Sequence, residues 1–157
     1  MLDIEKLKQI NLFNNLNVDD LQKILPLCSI EKYRYGHLII QGSSFNYDLY
    51  VILDGKVSIE MESAYYDRQE NRLQACILRY EEVFGEAGFL DSSKREQLYV
   101  VADDDTSVLK IDGSKLHELM EKDNHIGYII MHNIGRILSQ RLAESNFRWR
   151  QTVIRFS

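Results

Sequence analysis

Seven short runs, rich in Val, Ile, Leu and Tyr, crowd into residues 29–111: "IEKYRY", "HLII", "DLYVIL", "KVSIEME", "LQACILRY", "LYVVA" and "SVLKI". None is long enough to be a helix, and glycines and polar clusters separate them. Closely spaced strands of this kind predict an antiparallel sandwich or barrel. Gly36, Gly42 and Gly55 fall between runs, where positive φ is expected. "LDGKV" carries an Asp-Gly pair that suits a type I′ hairpin turn. "SAYYDRQENR" reads as the exposed tip of a longer hairpin.

The flanks have a different texture. Residues 3–10 place Ile4, Leu7 and Ile10 on one helical face, and Asn17 precedes a second helix over 18–25 as its N-cap. Leu21, Ile24 and Leu25 form that helix's apolar stripe, and Pro26 ends or bends it. After Ile111, "DGSKLHELMEK" fits a short helix with Leu116, Leu119 and Met120 inward. Apolar residues then recur at threes and fours from Ile126 to Leu142, which predicts a longer helix over about 123–147. Gly127 and Gly135 on it allow another backbone to come close. "FRWRQTVIRF" fits either a continuation of the helix or an alternating strand. The expected organisation is one mostly β domain with flanking helices: N-terminal helices over 1–28, strands over 29–111 and C-terminal helices over 112–157.

A chain of 157 residues suits one domain, and 45% hydrophobic with 27% charged residues is ordinary for a globular protein. Its apolar runs are too short to span a bilayer and its charged start is not a signal peptide, so a cytoplasmic protein is expected. Cys28 and Cys76 make neither a disulfide framework nor a zinc knuckle. His37 stands alone among the strands, which speaks against a cupin-like metal enzyme. Net charge is −5, but five arginines from Arg136 onward face one acid, Glu144. That tail is +4 and the first 135 residues carry −9, a pattern of a solvated helix face or a seam rather than a nucleic-acid surface.

The densest chemistry lies in "VFGEAGFLDSSKREQLYVV", residues 83–101. Gly85 lets a ligand approach the backbone. A single helical turn from Glu86 to Leu90 would offer unpaired N–H groups, with Ala87 and Gly88 small enough not to obstruct an anion. Arg95 adds a forked donor, and Glu86 suits a hydroxyl such as a ribose 2′-OH. Amides plus arginine for phosphate, with a carboxylate for ribose, describe a cyclic nucleotide pocket.

This stretch resembles the phosphate-binding cassette of the cyclic-nucleotide-binding domain family, which includes catabolite activator proteins and kinase regulatory subunits. The cassette opening Phe-Gly-Glu is here Phe84-Gly85-Glu86, the small helical turn Ala87-Gly88-Phe89-Leu90, and the arginine Arg95, nine residues after the glutamate. "LKQINLFNNLNVDDLQKIL" and the glycine-punctuated "YRYGHLIIQGSSFNYDLYVILDGKVSI" are similar to the family's N-terminal helices and early strands. The resemblance implies an eight-stranded antiparallel β-roll, a non-catalytic regulatory role, cAMP or cGMP as ligand and no required cofactor. It also implies a homodimer through the C-terminal helix and a protein partner that the residues do not name. Ser145 and Asn146 align where base-reading residues lie in the catabolite activators. No helix-turn-helix follows that helix before Ser157, so no DNA-binding unit is expected.

Two departures stand out. A small residue usually follows the arginine, and here it is Glu96. Two like charges about 5 Å apart repel by roughly 1–3 kcal/mol, so Glu96 must point to solvent to leave a phosphate undisturbed. The Gly-Asp turn before the cassette is replaced by "YEEV", which brings Glu81 and Glu82 near and gives Arg95 alternative partners. A ligand-free docking or dimerisation module is therefore the second reading.

Overall fold

The computed structural model describes residues 1–62 and 72–156, so the expected hairpin tip at 63–71 lies outside the described residues. Helices α1 (Ile4–Lys8) and α2 (Val18–Ile24) come first. The Asn17 side chain caps α2 by accepting from the Asp20 N–H while Asp20 answers the Asn17 N–H, a reciprocal capping box. A 3-10 turn through Pro26 then delivers the chain into the strands.

Eight strands follow: β1 (Cys28–Tyr33), β2 (Leu38–Ile40), β3 (Leu49–Asp54), β4 (Val57–Glu62), β5 (Arg72–Leu78), β6 (Val83–Phe84), β7 (Tyr99–Ala102) and β8 (Thr106–Ile111). Helix α3 (Glu86–Leu90) interrupts them; α4 (Gly113–Lys122) and α5 (Asn124–Phe156) end the chain. The strands form two antiparallel sheets, β1-β8-β3-β6 and β2-β7-β4-β5. This is the expected β-roll with flanking helices.

Two cores explain why β3 is apolar without interruption. Leu49 and Val51 join β8 residues Leu109 and Ile111 in a core with Leu7, Leu21, Leu116, Ile126 and Ile130 of the helices. Their neighbours Tyr50 and Ile52 point the other way, into the roll, with Val57, Ile59, Leu78, Phe84, Val100 and Val108. A sheet covered on both faces shows no alternation.

The Asp-Gly turn departs from expectation. β3 and β4 belong to different sheets, so "LDGKV" hands the chain from one sheet to the other instead of closing a hairpin. Gly55 has φ +82°, while Asp54 is not among the residues with positive φ, so no type I′ turn forms. What holds the turn is its neighbour: Lys56 N–H donates to Thr106 Oγ1 at 3.2 Å and Thr106 Oγ1 donates to the Lys56 carbonyl at 2.9 Å. A Cβ on Gly55 would stand 2.4 Å from the Asp105 carbonyl oxygen. Gly42, by contrast, lacks positive φ and makes room for the Tyr99 ring.

Helix α5 resolves the ambiguous "FRWRQTVIRF" as helix. Its 33 residues span about 50 Å at 1.5 Å per residue. Ile126, Ile130 and Ile134 are buried, whereas residues 142–155 are exposed, so the helix leaves the domain beyond Arg141. One buried polar side chain fastens its start: Asn133 Nδ2 donates to the carbonyls of Leu12 (2.8 Å) and Asn14 (2.9 Å). Removing it leaves those acceptors unmet. Asn133→Ala is expected to lower unfolding free energy by about 2 kcal/mol in urea titration; an unchanged midpoint would show that the tie carries no stability.

Candidate functional site

The cassette is built by close main-chain approach. Segment 43–48 lies across α3, and the glycines there have no space for a side chain. A Cβ on Gly88 would stand 1.8 Å from the Asn46 carbonyl oxygen, and one on Gly85 would stand 2.5 Å from that of Asp48. Gly85 also has φ +82°, as N-cap of α3. Phe84, just before it, is buried in the roll and stacks on Tyr50 with ring centroids 4.8 Å apart. Ala87 is exposed at the first turn. On the far side of α3, the Phe89 ring stacks on His117 at 4.3 Å, and His117 Nε2 lies 2.7 Å from the Phe89 carbonyl oxygen. The short helix is thereby joined to α4.

The same segment fixes residues 95 and 96. Ser43 N–H donates to the Glu96 carbonyl and Glu96 N–H to the Ser44 carbonyl, each at 2.7 Å. Strand-like pairing of this sort sends successive side chains to opposite sides. Glu96 goes inward. Its Oε1 is shielded from solvent, meets no hydrogen-bond partner, and lies 2.9 Å from where a Gly88 Cβ would be. Arg95 goes outward: its guanidinium sits 5.2 Å over the Phe45 ring and donates to the Ser43 carbonyl at 3.2 Å. Glu96 is therefore half-buried with Oε1 turned away from solvent, and among the described residues no carboxylate pairs with Arg95.

Glu86 is engaged as well. Arg141 of α5 donates from Nη1 to Glu86 Oε1 at 3.1 Å and from Nη2 to the Val83 carbonyl, clasping both sides of Gly85. Composition alone placed Arg141 in the solvated basic tail. The missed signal is its phase: it continues the inward stripe Ile126, Ile130, Ile134, Ile137, where an arginine needs a partner. Glu81 and Glu82 lie away from the cradle. Glu81 accepts from Asn11 Nδ2 at 2.9 Å and Glu82 from the Arg79 N–H at 2.7 Å, and with Arg141 and Glu144 they line a pocket of about 230 Å³ against α5. Ser145 and Asn146 are exposed on α5, past Arg141. A groove of about 710 Å³ between α1 and the first sheet contains none of the cassette residues. Cys28 is a free thiol whose pKa burial pushes up to about 12, which leaves it unreactive.

Burial, and after it the Glu86 charge, raise the Glu96 pKa above the usual carboxylate range; the Gly88 N–H and the Asn46 side chain only partly oppose this. The folded state thus holds this proton more tightly than the unfolded chain. Stability is favoured while the group is protonated and declines as pH rises from the ordinary carboxylate pKa through the raised one. Glu96→Gln removes the ionised form. It is expected to raise the urea midpoint at pH 7, with the gain fading below about pH 4. Urea titrations from pH 4 to 8 check this; a pH-independent difference would refute it.

The model of the family described as "Cyclic nucleotide-binding domain" matches residues 30–123 of the chain. No curated protein sequence matches. Among solved structures, a putative cyclic nucleotide-binding protein from Geobacter metallireducens superposes with a TM-score of 0.77 at 22% identity, covering 90% of this chain and 99% of that one. The catabolite activator protein of Thermus thermophilus gives 0.70 at 22% identity, covering 91% of this chain and 63% of that one. A regulatory subunit of a cAMP-independent protein kinase A from Trypanosoma cruzi, solved bound to guanosine, gives 0.66 at 20% identity, with 81% and 41% covered. The glycine-bound cassette, the two-sheet roll and this match over well more than half of its length lead to one conclusion: the chain belongs to the cyclic nucleotide-binding domain family.

Proposed function

We propose that this domain is a non-catalytic regulatory sensor that takes a ribose-bearing ligand of the cyclic-nucleotide class at the cassette and reports occupancy through α5. The observation that carries the reading is the Arg141 clasp on Glu86 and Val83. A ribose hydroxyl donating to Glu86 competes with Arg141 for the same carboxylate, so ligand binding and α5 docking are linked through differential affinity for two arrangements of the helix. The ligands that the family implies are cAMP and cGMP, with phosphate towards the amides after Glu86 and towards Arg95, which must first leave Phe45. Their base would meet α5 near Ser145 and Asn146.

A homodimer through α5 is part of the proposal. Tyr128, Met131, Gly135, Leu138, Leu142, Ser145 and Trp149 recur at alternating threes and fours, the spacing of a coiled-coil seam. Leu142 is 62% exposed and Trp149 68%, too apolar and too uncovered for a lone helix in water. Gly135 has nothing within 4 Å of its would-be Cβ, which leaves room for a partner backbone. Cytoplasmic residence also belongs to the proposal. It is supported by the two free thiols and by the finding that, among the described residues, no helix is long and apolar enough to cross a membrane. The second reading, a ligand-free docking module with a protein partner, is favoured by the inward Glu96 Oε1.

Calorimetric titration with cAMP, cGMP and their nucleosides separates the two: saturable heat supports the sensor, and silence at millimolar ligand supports the docking module. Arg141→Ala is expected to speed hydrogen exchange in residues 137–150 several-fold without changing exchange in β3; equal rates would remove the clasp from the mechanism. Leu142→Glu with Trp149→Glu is expected to convert a dimer to a monomer by light scattering, whereas an unchanged mass would place the contact elsewhere.

A further inference from the structure

We infer that the cassette is selective for an uncharged ribonucleoside over the corresponding 3′,5′-cyclic monophosphate, with the Glu96 carboxylate taking a sugar hydroxyl where a phosphate would otherwise sit. The inference rests on the sensor reading above and narrows its ligand.

Three features of the site bear on it. The first is where Glu96 stands. Its main chain is paired on both sides with Ser43 and Ser44, and its Oε1 is sealed from solvent beside Gly88 without a donor. The Gly88 N–H and the Asn46 side chain lie close enough to lower the Glu96 pKa but complete no hydrogen bond to Oε1, so a ligand that brings a proton meets a demand they leave open. The second is that, among the described residues, neither nearby arginine is turned to Glu96. Arg95 is turned outward onto Phe45 and the Ser43 carbonyl, and Arg141 is held by Glu86 and Val83. The third is Glu86, a second carboxylate whose charge is near enough to act on Glu96.

The chemistry of the two ligand classes then decides. In a 3′,5′-cyclic monophosphate, O3′ and O5′ are both esterified, so neither carries a proton, and the phosphate adds a negative charge beside two acids. In a nucleoside both oxygens are hydroxyls, either of which can donate to Glu96 Oε1. Sites that hold a substrate hydroxyl by a buried polar group strongly reject the analogue that lacks it. Repulsion between like charges at such range alone amounts to a factor of about ten in affinity.

The experiment is isothermal titration of the full chain at pH 7.5 with adenosine, guanosine, cAMP and cGMP. It is repeated on Glu96→Ala and on the near-isosteric Glu96→Gln, with circular dichroism melts confirming that each variant folds. The expected result is that at least one nucleoside binds the native chain about tenfold or more tightly than its own cyclic monophosphate. Removing the carboxylate should narrow or reverse that ratio. Tighter binding of the cyclic monophosphate by the native chain overturns the inference and leaves the sensor reading standing. Binding of cyclic monophosphates by the variants alone also overturns it, by making Glu96 a plug rather than a recognition group. Silence of all four ligands on all three proteins overturns the sensor reading, and the inference with it.

Discussion

The cassette depends on a contact between two pieces of main chain. Segment 43–48 presses its carbonyls onto Gly88 and Gly113, at distances where a Cβ would overlap: 1.8 Å from the Asn46 oxygen and 1.7 Å from that of Tyr47. That approach sets the height of α3 over the roll, orients the Glu96 backbone and anchors the first turn of α4, whose Gly113 N–H donates to Asp48 Oδ1 at 3.0 Å. A methyl group at either glycine would part the layers. The cassette and the helical layer therefore share one support, and neither can shift far without the other.

Within that frame, the charges of the site are already arranged among themselves. Glu86 has Arg141, Arg95 has an aromatic face and a carbonyl, and Glu96 Oε1 completes no hydrogen bond among the described residues. A binding site whose charges are all matched answers weakly to an incoming ion, because any new pair must first break an old one. The unmatched oxygen is a group whose interactions a ligand can improve without such a cost. The cassette thus keeps its close main-chain approach at the glycines while its side-chain charges are matched within the chain.

Much of this was legible in the residues. Short Val- and Tyr-rich runs, the Asn17 cap, Pro26 and the threes-and-fours pattern after Ile126 each follow from local physics, and each element forms close to where it was expected. The two-residue strand β6 escaped because Val83 and Phe84 are too few to show a period; its pairing with Tyr50 and Val51 exists only in three dimensions. The Asp-Gly turn misled for a related reason. Its partner is the turn between β7 and β8, fifty residues away, and Thr106 rather than a facing strand satisfies it. At the site, the Phe-Gly-Glu opening and Arg95 could be found by pattern, but the direction of each side chain could not. Which of Arg95 and Glu96 turns inward is decided by the pairing of Glu96 with Ser43 and Ser44, and no spacing rule encodes it.

The exposed stretch of α5 beyond Arg141 acts mechanically as a lever arm. Fourteen exposed residues, 142–155, extend about 21 Å from the clasp. A tilt of about 10° at the fulcrum, with the helix remaining stiff, would carry the far end through roughly 4 Å, as far as a side chain is wide. In the proposed sensor, an event confined to one carboxylate would thus be amplified into a displacement large enough for a neighbouring molecule to detect.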